Sequence, residues 1–337
     1  ELGFGLVGLV DNNAGAPLIS RITGIRKQLS RDLGFVLPQF RIRDSLDLGA
    51  QDYVVLLGGV VVANGAVRPA RLLAIDAGEV RPGHGLAGEA THDPSFDCPA
   101  LWIDPALRDH AVAEGFLVVD PATVIATHTQ QALLAEAHAL LGPEEVREWL
   151  DALRARAPAL VEAVHPDPLS LAALTRILRA LIADGIGLAH PQPLFTALAL
   201  GLQRTHDFDG LIDHVRAEMG ARLVARIAQP GEALKVVTLD AGLEGAILGG
   251  MIDPATGQPL IDPDCGAMIV RTIGEIIAVE GGPVALIVQP PARRALAALV
   301  KQRVRACLVL SINELPSNRP VEVVGVIGAE LPVQGAL

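Results

Sequence analysis

No stretch of this chain is apolar for long enough to cross a bilayer, and that limit governs what its greasy composition can build. A spanning helix takes about 20 consecutive apolar residues. The longest apolar-plus-glycine run covers only residues 53–63, and Gly58-Gly59 breaks it into two short β-rich pieces. Yet half of the 337 residues are hydrophobic and the mean hydropathy is +0.41. The apolar side chains must therefore fill interiors. At roughly 100–200 residues per domain, the length favours two or three globular units.

Charge narrows the partners. Asp and Glu number 38 against 27 Lys and Arg, a net charge of −11, which argues against phosphate backbones as a general partner. Aromatic residues make up 3% and leave little for base stacking. Arg21, Arg26, Lys27, Arg31, Arg41 and Arg43 form a local basic group, expected as a solvated helix face plus a strand edge. Cys98, Cys265 and Cys307 are far apart and form no CxxC pair, so neither a disulfide framework nor a thiolate zinc site is expected. Residues following Glu1 lack a secretory signal pattern. Their abrupt apolar alternation is what a piece of something longer would show.

Periodicity organises the chain into a strand-rich first part, a helical middle and an α/β end. Residues 2–10 are expected as a strand, followed by an Asp11-Asn12-Asn13 turn and a helix from Pro17 to near Gly34. Strands are expected at 40–43, 54–57, 60–62, 72–75, 101–103 and 116–119, with a Gly/Pro loop at 78–88 and a helix begun by Asp104-Pro105. Helical patterns cover 130–141, 143–156, 171–183, 193–200 and 211–227. Leu171, Leu174, Ile177, Leu178, Leu181 and Ile182 form one stripe that ends before Gly185. From residue 229 strands at 236–239, 285–288, 307–310 and 321–326 alternate with helices at 241–248, 267–279 and 292–303, which argues for some parallel pairing.

Isolated motifs carry little chemistry. Gly3-x-Gly5-x-x-Gly8 matches the dinucleotide fingerprint in letters, but no strand precedes it, so its glycines read as close-packing positions. A nicotinamide-dependent oxidoreductase built on them is the alternative from another class. His206-Asp207-Phe208-Asp209-Gly210 with Asp213-His214 lacks the ligand pattern of a calcium loop, and Asp207 is expected to cap a helix beginning near Phe208. Two stretches stand out: residues 91–103, with an Asp-Pro pair and an exposed-leaning Phe96 ahead of a strand, and residues 118–128, richer in apolar residues than a helix start requires. Neither holds a nucleophile, a base and an orienting group together.

In these two stretches, Asp93-Pro94-x-Phe96, then residues 99–103 (Pro-Ala-Leu-Trp-Ile), then residues 118–128 (Val-Val-Asp-Pro-x-Thr-Val-Ile-Ala-Thr-His), the chain resembles the FlhA (FHIPEP) family. Gly3-Phe4-Gly5-Leu6, Gly24-Ile25-Arg26-Lys27, Leu33-Gly34-Phe35, Ile42-Arg43-Asp44, Leu73-Ala74-Ile75, Val309-Leu310-Ser311 and Asn318-Arg319 extend the likeness over nearly the whole length. The resemblance implies the cytoplasmic domain of a flagellar type III export gate, or of the related injectisome gate, whose membrane helices precede it. It implies an α+β multi-subdomain fold: a split mixed α/β first subdomain (1–70 and 121–140), an inserted α+β second (71–120), a helical third (141–220), an α/β fourth (221–330) and a tail (331–337). Hinges would lie near residues 70, 120, 140 and 220.

The family's partners are export chaperone–substrate complexes, other export components and further copies in a homo-nonameric ring, with no nucleic acid, cofactor, metal or enzymatic step. Its place is the cytoplasmic face of the bacterial inner membrane. Asp93, Phe96 and Thr127 match the chaperone-contact positions, with Phe96 expected as an apolar anchor, Asp93 as a rim charge and Thr127 as a hydroxyl at the start of a helix. Gly3 matches a glycine tied to conformational behaviour. Residues 186–195 depart from the family's charged pattern, which bears on ring contacts, and the 78–88 loop is slightly long.

Overall fold

The computed structural model describes residues 1–11, 15–83, 85–254, 256–304 and 306–328. Asn12 and Asn13 of the expected turn and the 331–337 tail lie outside them. The chain divides into two compact units, Glu1–Pro191 and Gln192–Leu337, each with its own sheet structure.

The first unit opens with a 3-10 turn, Phe4–Leu9, in place of the expected strand. Only Leu2 pairs, bridging to Asp44 and Tyr53. The strand expected at 40–43 is likewise absent: that extended segment joins the chain start through the Leu2 amide, which donates to the Arg43 carbonyl at 2.9 Å, and through the Arg43 guanidinium on the Glu1 carboxylate, without forming a ladder. Helix α1 (Pro17–Leu33) ends at Gly34 in the left-handed region, as its sequence pattern foretells. Strands β1 (Asp52–Leu57) and β2 (Val60–Ala66) form an antiparallel hairpin. Next come β3 (Leu72–Ile75), β4 (Glu89–His92) and β5 (Pro99–Ile103), a short helix α2 (Arg108–Ala113), and β6 (Leu117–Val119). They build an antiparallel sheet ordered β4-β5-β3-β6.

Helix α3 (Pro121–Ala135) begins well before the pattern at residue 130, because Asp120 caps it and its first turns are already core. Helices α4 (Pro143–Arg154), α5 (Pro158–Glu162) and α6 (Leu171–Ala183) complete the unit. The α6 stripe is buried at Leu174, Ile177, Leu178, Leu181 and Ile182, while Leu171 is half-buried.

Two expectations from sequence change character here. Part of the basic group is structural: Arg21 on α1 meets Asp120 and the Thr123 hydroxyl, at 2.5 and 2.8 Å, and Arg26 donates to the Leu37 carbonyl. The start of the atypical 186–195 segment is an internal seal. Its Leu188 amide donates to the Leu33 carbonyl at 2.7 Å, and the Leu188 carbonyl accepts from the Trp149 indole at 3.2 Å.

The second unit contains α7 (Pro191–Leu202), α8 (Phe208–Glu218), α9 (Gly220–Val224), β7 (Leu234–Leu239), α10 (Ala241–Leu248), α11 (Pro263–Glu280), β8 (Val284–Val288), α12 (Pro290–Lys301), β9 (Cys307–Ser311) and β10 (Val321–Ile327). Asp207 caps α8, accepting from the Gly210 amide at 2.8 Å. The strands form an all-parallel sheet ordered β10-β7-β8-β9, with α10, α11 and α12 contributing to its core. Near-continuous apolar strands such as Val284–Val288 suit a sheet covered on its faces.

Candidate functional site

The candidate site draws on the β4–β5 hairpin and α3, whose residues contribute to one apolar core. Residues 93–98 link His92 to its partner Pro99, so the stretch expected as a simple loop ahead of a strand is the tip of a hairpin. One oxygen of the Asp93 carboxylate accepts from the amides of Ser95 and Phe96, at 3.2 and 2.9 Å. The Asp93 amide donates to the Cys98 carbonyl, and Asp97 follows with a left-handed φ of 58°. An aspartate spanning its own next amides in this way builds a tight turn. It presents Phe96 outward at 60% exposure while Asp93 keeps only 3%. The expected rim charge is therefore an interior one, and its carboxylate shapes the loop.

Thr127 stands half-buried in the second turn of α3, not at its start. Its neighbours connect it to the loop. Ala126, Ile125 and Ala122 share a core with Ala100 and Trp102 of β5, and Cys98 at the loop's base packs on the same core. His128 places Nδ1 2.7 Å from the hydroxyl of Tyr53, a β1 residue buried to 1%. Burial, then the charge of Asp93, pushes the Tyr53 hydroxyl above its ordinary pKa. Tyr53 is thus joined by a hydrogen bond to α3 at the residue that follows Thr127.

The Tyr53 ring also walls an apolar cavity of about 440 Å³, lined by Leu18, Ile22, Phe40, Ile125 and Leu133 among others. Sequence reasoning passes over Tyr53 and His128, 75 positions apart. The one available signal is that Tyr53 is the only tyrosine in the chain.

Gly3 occupies a different part of the same unit. A Cβ there would stand 2.0 Å from the Gly49 carbonyl oxygen, and one at Gly5 would stand 2.6 Å from that of Ala50. Gly3 and Gly5 therefore press on backbone at the start of a 3-10 turn, Gly8 faces open space, and the three open no helix toward a pyrophosphate. Among the described residues, His, Cys, Asp and Glu nowhere gather as a metal site. The arrangement is suited to binding: a solvent-facing aromatic side chain on a turn that is held from below.

The FHIPEP family model matches residues 1–320. The flagellar biosynthesis protein FlhA of Bacillus subtilis is 35% identical over 332 residues, covering 97% of this chain and 49% of that protein. The chain spans about half the length of such curated relatives. Among solved structures, the Chlamydia pneumoniae CdsV protein superposes with a TM-score of 0.81 at 22% identity, covering 97% of this chain and 96% of that one. The nonameric EscV cytosolic domain from a type III secretion system gives a TM-score of 0.72 at 17% identity, covering 93% of each. At these identities the structural matches speak to the fold.

Proposed function

The chain belongs to the FHIPEP family, and on that premise we propose that it is the docking and gating part of a flagellar type III protein export gate. The observation that carries the proposal is similarity to a flagellar biosynthesis protein along 97% of the chain. The work is binding and conformational change, with no catalytic step and no cofactor. Chaperone–substrate complexes seat against Phe96, the exposed aromatic anchor, with Thr127 on α3 offering a hydroxyl and Asp93 fixing the turn beneath Phe96. Transient docking of this kind takes its affinity from an apolar anchor in a shaped surround.

The flagellar branch is preferred over the injectisome branch because flagellar proteins stand among the curated relatives at 30% identity and above. Attachment to the cytoplasmic face of the inner membrane comes from a part of the protein other than these residues, since no described helix is long and apolar enough to cross a membrane. The nonameric state of one fold neighbour supports a ring of nine copies. The division into four subdomains, with hinges near residues 70, 120, 140 and 220 and Gly3 as a conformational position, belongs to the same proposal.

Isothermal titration with a cognate flagellar chaperone–substrate complex tests the reading. Phe96→Ala and Thr127→Met are expected to weaken binding about tenfold or more, as interface anchors do, with thermal unfolding unchanged. Asp93→Ala is expected to weaken it by loosening the turn. Wild-type affinity in all three variants overturns the site.

A further inference from the structure

Tyr53 and His128 lie outside the chaperone-contact positions, yet their geometry is that of a support. The Tyr53 hydroxyl and His128 Nδ1 are 2.7 Å apart, and the rings meet edge to face at 85° with centroids 5.9 Å apart. The hydroxyl occupies space that Gly65 leaves empty: a Cβ on Gly65 would come within 2.8 Å of it. Tyr53 sits on β1, opposite Gly65 in the hairpin, and His128 sits on α3 directly after Thr127. The charge of Asp93 acts on the same hydroxyl. Tyr53 of the β1–β2 hairpin, Ala126 of α3 and Ala100 of β5 belong to one apolar core, and Cys98 at the base of the 93–98 turn packs against that core.

From this juxtaposition we infer that Tyr53 and His128 are positioning residues, whose shared hydrogen bond fixes the Asp93 turn against α3 and holds Phe96 outward for docking. Neither residue touches cargo. Tyr53 fills the interior on its ring side and supplies one polar atom at the far end, the usual division of labour for a buried tyrosine. Losing that atom leaves the fold's apolar packing in place and removes only the lateral tie. The docking consequence rests on the proposed function, whereas the structural consequence does not.

The experiment uses the whole chain with two readouts, amide hydrogen exchange and titration with the flagellar chaperone–substrate complex. Tyr53→Phe is expected to speed exchange at the Ser95 and Phe96 amides about fivefold to tenfold and to weaken binding by a similar factor, as loss of one buried hydrogen bond would. Exchange in the centre of α3 should stay as in the wild type. His128→Ala should do the same, and His128→Gln, whose amide can take up the hydrogen bond, should restore both readouts to within about threefold of wild type. Unchanged exchange at residues 95 and 96 in both Tyr53→Phe and His128→Ala overturns the inference, even if binding falls. If the wild-type chain binds no complex, the docking proposal fails while the exchange comparison still decides the positioning role. Should His128→Ala lower the melting temperature broadly, Tyr53→Phe, which keeps its ring, decides between support and collapse.

Discussion

Asp93 in the first unit and Glu314 in the second are carboxylates of almost equal burial, 3% and 2% exposed, but their partners differ in kind. Asp93 commits an oxygen to two amides of its own turn. Glu314, on the short turn after β9, receives a two-pronged contact from Arg216 of α8, at 2.9 and 2.8 Å, and lies 3.6 Å from Arg293 of α12. Both arginines are nearly sealed from solvent, and Arg293 also meets Asp213 at 3.2 Å. Desolvation, and then the Arg216 charge, holds Arg226 below its ordinary pKa. One unit thus buries a charge to shape a local turn that displays a side chain. The other buries charges to join distant elements of a parallel α/β core. The first arrangement can loosen locally; the second must come apart with the unit.

Breaking the second arrangement is expected to have the largest effect. Glu314→Gln takes away the negative charge between two buried guanidinium groups, and removing one partner of a buried ion pair costs about 3–5 kcal/mol. Urea unfolding followed by hydrogen exchange should show protection falling across the Gln192–Leu337 unit together. An Arg216→Met, Glu314→Leu double variant should recover part of that loss, since apolar replacement of a buried pair removes the desolvation cost as well. A loss below about 1 kcal/mol for Glu314→Gln would mean that the two units do not differ in the way their carboxylates suggest.

Gly3 supplies the intermediate case, because it tests packing in the first unit instead of charge. Gly3→Ala drives a methyl toward the Gly49 oxygen and the Ala50 carbonyl group, backbone atoms that cannot turn aside as a side chain would. Overpacking of this sort costs about 1–3 kcal/mol. The change should appear as faster exchange around residues 2–6 and 49–53, with the second unit's unfolding unaffected. An unchanged melting profile would show that the 3-10 turn can lift from residues 49–50 at little cost, which would itself favour a hinge there.

The same contrast explains what can be read in the sequence. In the second unit most local signals agree with the fold: Asp240 caps α10 by accepting from Gly242, and the helix spans Ala241–Leu248, the same residues its pattern gives, although the single helix expected at 211–227 is two, α8 and α9. The parallel strands are short apolar runs, and the sequence pattern finds them to within two residues. The first unit is harder because tertiary contacts decide it. The start of the chain turns into a 3-10 helix since Gly3 and Gly5 lean on residues 49–50, which no local pattern encodes. Strand β4 escapes the pattern because Glu89–His92 is short, mostly exposed and not alternating.

At the site, Asp93, Phe96 and Thr127 come from family resemblance alone. Composition cannot say that Asp93 points inward, because an Asp-Pro turn is equally compatible with a rim charge. The Tyr53–His128 tie joins residues 75 apart, a separation at which only the folded chain shows the partnership.

The smallest effect belongs to Asp120, whose two roles can be separated. One oxygen accepts from the Thr123 amide at 2.9 Å and caps α3; the other meets Arg21 at 2.5 Å. The ion-paired side chains are 37% and 39% exposed, so water screens most of their attraction. Asp120→Asn keeps a cap acceptor and removes the charge, and should cost less than about 1 kcal/mol. Asp120→Ala removes the cap as well and should cost about 1–2 kcal/mol. Urea unfolding of both variants at low and high salt checks the split: the Asn deficit should shrink as salt rises, and the extra Ala deficit should persist. If Asp120→Asn cost as much as Glu314→Gln, a half-exposed charge joining α1 to α3 would match one sealed inside the parallel unit. Burial would then fail as the property separating the two units, and the partner's identity would have to replace it.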